Sequence, residues 1–342
     1  MPEGHTVHRL ARALDALFGG QPLRVSSPQG RFADGAALLD GHVLVASEAW
    51  GKQLFCGFGP VGTAGPAAGG ADAADDLRWL RVHLGLYGAW TFAGDGSADV
   101  VHAIGAPRKR VGERETVPAA PAGSGGGAAD PAGEDGWAPP APRGAVRVRL
   151  RGAHAVADLT GPTACEVLTG AEKAAAEARL GPDPIRPDGG RGSLDAAREA
   201  FVARVRRSRV TVGQQLMDQA VVAGVGNIYR AEALFRAGLD PLRPGREVPA
   251  TTLAAIWDDL VVLMRDGADR GAIVTTRPED RVPGGGGRVT RQNTDGAPGA
   301  VPADDAFYVY HRDGLPCRAC GAPVLTKELA GRNLFWCGVC QA

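Results

Sequence analysis

The stretch "AGVGNIYRAEALF", residues 223–235, turns the chain from a tight link into a helix within a few residues. Gly224 and Gly226 permit a compact backbone path, and Asn227 opens the helical run. Free backbone N–H groups and the helix dipole at that position favour an anion such as a phosphate. A dinucleotide-binding turn does not fit: Tyr229 stands at the third glycine position of G-x-G-x-x-G, and no acidic residue follows in a strand about twenty residues later. Just upstream, "RVRRSR" (204–209) gathers Arg204, Arg206, Arg207 and Arg209 into a local positive patch.

Outward from this stretch the helical period continues. "SLDAAREAFVARV" (193–205) and "VGQQLMDQA" (212–220) read as helices before it, and "VVAGVG" (221–226) as a turn-bearing link. "TTLAAIWDDLVVLMRDG" (251–267) follows as a helix whose buried face carries Leu253, Ile256, Trp257, Leu260, Leu263 and Met264. The N-terminal half has a different grain. "TVHRLARALDALF" (6–18) predicts a helix burying Val7, Leu10, Leu14, Leu17 and Phe18. The runs "HVLVASEAW", "GKQLFCGF" and "LRWLRVHLGLYGAW" then predict strands separated by glycine-rich turns. "AVRVRLRG" (145–152) alternates Val146, Val148 and Leu150 against Arg147 and Arg149, the pattern of a half-buried strand. A β-rich domain fronted by a helix, followed by a helical domain, is an α+β organisation.

The 342 residues suffice for two or three compact units, and 44% apolar content is ordinary for a folded protein. Fifty glycines and 25 prolines exceed what one tight domain uses, so flexible loops are expected at 59–76, 105–144 and 280–302. The "PRKR" at 107–110 reads as a solvated basic stretch. The 38 basic and 38 acidic residues balance to zero, which says nothing of local charge and leaves a basic face possible. With neither an N-terminal apolar run nor an apolar stretch long enough to span a membrane, a cytoplasmic protein without a membrane partner is expected.

Four of the six cysteines form two C-x2-C pairs, Cys317 with Cys320 and Cys337 with Cys340. Four thiolates so spaced give zinc a closed tetrahedral shell, as in a zinc ribbon, with no open position for a catalytic water. The hairpin they hold pairs "VLTKEL" with "NLFWC" across "AGR", which sets Arg332 near its tip, where a guanidinium can clamp a phosphate.

The chain begins "MPEGHTVHRL". A small residue at position 2 generally permits removal of Met1, leaving Pro2 as a free secondary amine with a reference pKa of about 7.7–8.0. Such an amine is a potential nucleophile.

Five motifs in order carry a resemblance: "MPEGHTVHR", "GK" before "LF", "LGPDP" (180–184), "LMDQAVVAGVGNIYRAEALF" and "GLPCRACG…GRNLFWCGVCQ". Together they resemble the Fpg/Nei family of bifunctional DNA glycosylases over nearly the whole chain. "MPEGHT" and "HLGLYG" are most similar to the endonuclease VIII (Nei) branch and its actinobacterial members. The resemblance implies an N-terminal β-sandwich fronted by a helix (1–165), a linker (166–194), a helix-two-turns-helix domain (195–302) and a four-cysteine zinc finger (303–342). It implies that Pro2 is the nucleophile, Glu3 the proton donor, and Lys52 the strand lysine at the phosphate beside the lesion. Asn227 and Arg332 match the phosphate-binding pair, and Leu86 and Tyr87 fall where the family fills the gap left by a flipped nucleotide. It further implies one structural zinc, damaged double-stranded DNA as partner, no small-molecule cofactor, a monomer, and a bacterial, nucleoid-associated setting. The expected activity is base-excision repair of oxidised bases, preferably pyrimidines, with β,δ-elimination. Oxidised purines, a zinc-finger DNA binder without catalysis, and a tautomerase using an N-terminal proline stand as alternatives.

Overall fold

The computed structural model describes residues 2–63, 77–97, 103–105, 137–281 and 301–342. The spans read as flexible loops fall largely outside these residues, as does the "PRKR" stretch. Two compact units emerge: the first is built on Arg9–Ala49 and Gln53–Ala176 with Pro2, the second on Glu3–His8, Trp50–Lys52 and Glu177–Ala342.

The opening helix α1 (Gly4–Phe18) buries Val7, Leu10, Leu14 and Phe18, as its periodicity requires, while Leu17 is half-exposed. In the first unit, helix α2 (Ala33–Leu39) follows the short strand β1 (Arg24–Ser26). Two sheets realise the β-sandwich. One has the order β1-β7-β8-β5-β6, with β5 (Ala89–Gly94), β6 (Ala103–Gly105), β7 (Val146–Arg151) and β8 (Ala155–Thr160). The other runs β2-β3-β4-β9, with β2 (Val43–Trp50), β3 (Gln53–Gly59), β4 (Arg78–His83) and β9 (Ala164–Leu168). Trp79 and Trp90, both essentially inaccessible, fill the core of this unit.

Two details differ from the sequence expectation. In β7 Val146, Val148 and Leu150 are buried as the alternation requires, but so is Arg149, at 2% exposure. The register slips between Val146 and Val148, and the guanidinium is met by Asp158 on the facing strand at 3.3 Å and by the Pro140 carbonyl at 2.5 Å. A buried charge persists only with such partners. The span 166–194, expected as a linker, contains the end of β9, paired with β4, and helix α3 (Gly170–Glu177). Lys173 of α3 lies 4.3 Å from the Trp79 ring centroid and 3.3 Å from Glu48, which ties the helix to the sheet.

In the second unit, helix α4 (Leu194–Arg206) starts on Ser193, whose Oγ accepts the Ala196 N–H at 3.1 Å. The helix expected over 212–220 is a single turn, α5 (Val212–Gln215). Beyond it, side chains take over the backbone groups. Asp218 accepts the Ala220 N–H at 2.9 Å, and Gln219 accepts from Gly224 N at 2.9 Å while donating to the Val225 carbonyl at 3.0 Å. These bonds stabilise the two turns that lead into α6 (Asn227–Arg236). The long helix α7 (Ala250–Arg270) ends on Gly271, at φ +74°. Phe201, Leu216, Tyr229, Leu234, Trp257, Leu260 and Met264 pack these helices into one core. Strands β10 (Leu325–Leu329) and β11 (Arg332–Trp336) form the C-terminal hairpin, with Leu329 opposite Arg332. Among the described residues no helix is long and apolar enough to cross a membrane.

Candidate functional site

Glu3 is completely buried, and the start of α6 explains how its carboxylate is tolerated there. Oε1 accepts the Ile228 N–H at 2.8 Å, and Oε2 accepts those of Gly226 at 2.9 Å and Tyr229 at 3.4 Å. The orphan N–H groups of a helix N-terminus thus receive an anion, but from residue 3 of the same chain. Gly226 is required for this fit. A Cβ there would lie 2.4 Å from Glu3 Cδ and 2.7 Å from Cγ, too close for any side chain. Gly226→Ala is expected to destabilise the protein by about 1–3 kcal/mol and to displace the carboxylate; thermal unfolding checks the first effect and excision assays the second.

Around this carboxylate stand three cations. Lys52 is half-buried on the turn Trp50–Lys52; desolvation pushes its ammonium below the usual lysine range, the Glu3 charge opposes that, and Arg332 adds to it. Arg230, on α6, is fully buried and lowered to about 10 by burial, which the Glu3 charge opposes. Arg332 is exposed at the first position of β11. Asn227 is 6% exposed and engaged at both ends of its amide: Nδ2 donates to the Asn333 carbonyl at 3.0 Å, and Oδ1 accepts from Arg230 Nη2. Arg230 also donates to that Asn333 carbonyl at 3.0 Å, so α6 and the hairpin share one acceptor.

Glu3, Lys52, Asn227 and Arg332, all expected from the sequence, therefore lie in one electrostatic neighbourhood of the second unit. Pro2 is buried and directly precedes Glu3. Leu86 and Tyr87 belong to the first unit, on the turn between β4 and β5, where they are 36% and 62% exposed. Large apolar side chains so presented suit insertion into a duplex.

Sequence reasoning missed Arg230, Glu232 and Tyr310. Arg230 sits three residues beyond Asn227, on the same helical face, which was the available signal. Glu232 is fully buried and accepts the N–H groups of Tyr308, Val309 and Tyr310, each at 2.8 Å, anchoring the segment ahead of the hairpin. Burial and the Glu3 charge drive the Tyr310 hydroxyl well above the usual tyrosine range, against a hydrogen bond with Asn227.

The Sγ atoms of Cys317, Cys320, Cys337 and Cys340 all lie within 4.8 Å of one another, with Cys317 to Cys340 at 3.9 Å and Cys320 to Cys337 at 3.5 Å. A tetrahedral zinc with bonds of about 2.3 Å sets its sulfurs about 3.8 Å apart. The donor set and spacing fit zinc.

Comparison with known proteins agrees with this geometry. Residues 180–278 match the formamidopyrimidine-DNA glycosylase H2TH domain, and residues 314–342 the zinc finger found in FPG and IleRS. The Mycobacterium tuberculosis protein named Endonuclease 8 1 is 41% identical over 343 residues, covering all of both chains. The chain belongs to the Fpg/Nei family. Within that family, the formamidopyrimidine-DNA glycosylase of Thermus thermophilus is 35% identical over 163 residues, 48% of this chain and 54% of its own. The family fold extends to solved structures. A Lactococcus lactis Fpg bound to DNA containing N7-benzyl-Fapy-dG aligns with a TM-score of 0.64 at 18% identity, over 99% of each chain. The MutM (Fpg) protein of Thermus thermophilus aligns with a TM-score of 0.62 at 23% identity, over 99% of this chain and 98% of that one.

Proposed function

We propose that this Fpg/Nei member excises oxidised bases, preferably pyrimidines, through an iminium formed by the Pro2 amine, and then cleaves the strand. It is a DNA glycosylase and AP lyase of base-excision repair. With Met1 removed, the nitrogen lone pair of Pro2 attacks C1′ and the base departs with the glycosidic electron pair. The Glu3 carboxylate takes the N–H proton released from the newly bonded Pro2 nitrogen and passes it to the sugar ring oxygen; the ring opens, and the freed nitrogen lone pair completes the iminium. That cation acidifies the C2′ proton; its loss breaks the C3′–O bond by β-elimination, and δ-elimination then breaks the C5′–O bond. A one-nucleotide gap remains.

The observation that carries this reading is the carboxylate of Glu3, one residue from Pro2, held without solvent on the N-terminus of α6 and flanked by Lys52. A DNA binder without catalysis needs no such group. Lys52, Asn227 and Arg332 hold backbone phosphates and position the strand without reading its sequence. Leu86 and Tyr87 fill the gap left by the flipped nucleotide. Zinc, one per chain, fixes the hairpin that presents Arg332 and takes no part in the chemistry. The working form is a monomer on damaged duplex DNA in the bacterial nucleoid, with no small-molecule cofactor.

Single-turnover excision from matched duplexes holding thymine glycol or 8-oxoguanine tests the reading. Faster release of the pyrimidine is expected; faster release of the purine reverses the preference, and release of neither leaves a DNA-binding protein. Arg332→Ala is expected to weaken duplex binding uniformly across sequences and to reduce the slope of log affinity against log salt by about 1. An unchanged slope removes Arg332 from the phosphate contacts.

A further inference from the structure

The turn that carries Lys52 is fastened by the "LGPDP" segment (180–184). Asp183 is completely buried, and its Oδ2 accepts both the Gly51 N–H, at 2.7 Å, and His8 Nε2–H, at 2.7 Å. Its Oδ1 accepts the Ile185 N–H at 2.8 Å. Burial would raise the pKa of this carboxyl, but His8 and the two N–H groups outweigh it and hold Asp183 below the ordinary carboxylate range. One residue before Gly51, the Trp50 indole N–H donates to the Gly181 carbonyl at 2.9 Å, and the Arg186 guanidinium lies 4.6 Å from the indole centroid. On the other side, Gly51, at φ +58°, leaves no room for a Cβ, which would meet Ala223 Cβ and Gly224 N at 2.8 Å. The turn is thus wedged between 181–185 and 223–224.

We propose that His8 and Asp183 are a positioning pair: His8 orients the carboxylate that grips the Gly51 N–H, and that grip sets the direction in which Lys52 leaves the turn. Their side chains are 11% and 0% exposed, so water competes little for the bond. His8 and Gly51 share Oδ2, so without the His8 donor the orientation of this buried carboxylate is set only by the backbone N–H groups of Gly51 and Ile185, and its hold on Gly51 loosens. The inference rests on Lys52 contacting the phosphate beside the lesion. It adds two residues that act through the turn, as positioning residues behind Lys52.

Three variants separate this role from general stability. His8→Leu removes the donor. His8→Asn stays polar, but its amide ends short of the Nε2 position. His8→Gln reaches that position with a neutral N–H. Binding to a duplex holding a tetrahydrofuran abasic analogue is expected to weaken about tenfold in His8→Leu and His8→Asn, with recovery to within about twofold in His8→Gln. In a Lys52→Ala background His8→Leu should add nothing. Hydrogen exchange at the Gly51 amide should accelerate in His8→Leu and His8→Asn, but not in His8→Gln. Equal defects in all three variants, or an undiminished His8→Leu effect without Lys52, overturn the proposal. If Lys52→Ala binds like wild type, the reading of Lys52 fails, and the exchange rates still decide whether the pair fixes the turn.

Discussion

Glu3→Gln is expected to lower base excision by about 10²–10⁴-fold and to destabilise the protein by about 1–3 kcal/mol. Both effects come from one atom. The Glu3 carboxylate accepts at both oxygens, from Ile228 at Oε1 and from Gly226 and Tyr229 at Oε2. An amide offers one acceptor and one donor, so whichever way it turns, an NH2 group faces a backbone N–H in a site without water. The same change removes the acid that protonates the sugar. Single-turnover excision and urea unfolding on the same preparation read the two losses. A variant that unfolds like wild type contradicts the helix-terminus role, and one that excises like wild type contradicts the catalytic role.

Removal of zinc is the other large effect. Beyond the metal, the hairpin rests on a small cluster, Ala231, Phe235, Tyr308, Val309, Val324 and Phe335 around Cys317 and Cys337. An apolar group of this size does not hold a short hairpin in place alone. Structural zinc in finger peptides contributes about 10–16 kcal/mol, so its loss should free strands β10 and β11. Arg332 then loses its position, and Asn227 and Arg230 lose the Asn333 carbonyl they share. Chelation is expected to weaken duplex binding by about a hundredfold or more, while far-UV helix content persists, because the core around Trp257 and Phe201 is a separate cluster. Zinc should restore binding. Zinc-free protein that binds DNA as tightly as the loaded form contradicts the role given to the hairpin.

The parts of this molecule with strong local periodicity were legible in the sequence. Helices α4, α6 and α7 and the hairpin β10–β11 lie where apolar spacing, the Asn227 start and the cysteine pairs put them. The single turn α5 was not, because Asp218 and Gln219 compete for backbone groups with the helix that "VGQQLMDQA" otherwise favours. Burial of Arg149 was not legible for a similar reason: its partners Asp158 and Pro140 are nine residues away on either side, and an alternating pattern does not show that the second face of the strand is covered as well. At the site, Glu3 and Asn227 stood out by motif. What the motifs do not reveal is that Glu3 occupies the helix terminus beside Asn227, 224 positions further along the chain. The sequence offers that terminus to an anion such as a phosphate, and the fold gives it to a carboxylate of the same chain. The grip of Asp183 on Gly51 is equally long-range, and only the fold brings "LGPDP" to the Lys52 turn.

Borohydride trapping tests the central claim most directly. The purified protein, with absence of Met1 verified by mass, is mixed with a duplex containing an abasic site, reduced, and digested for peptide mapping. A covalent protein–DNA species attached at the Pro2 nitrogen is the result this account predicts. No covalent species, or attachment at Lys52 instead, would contradict it.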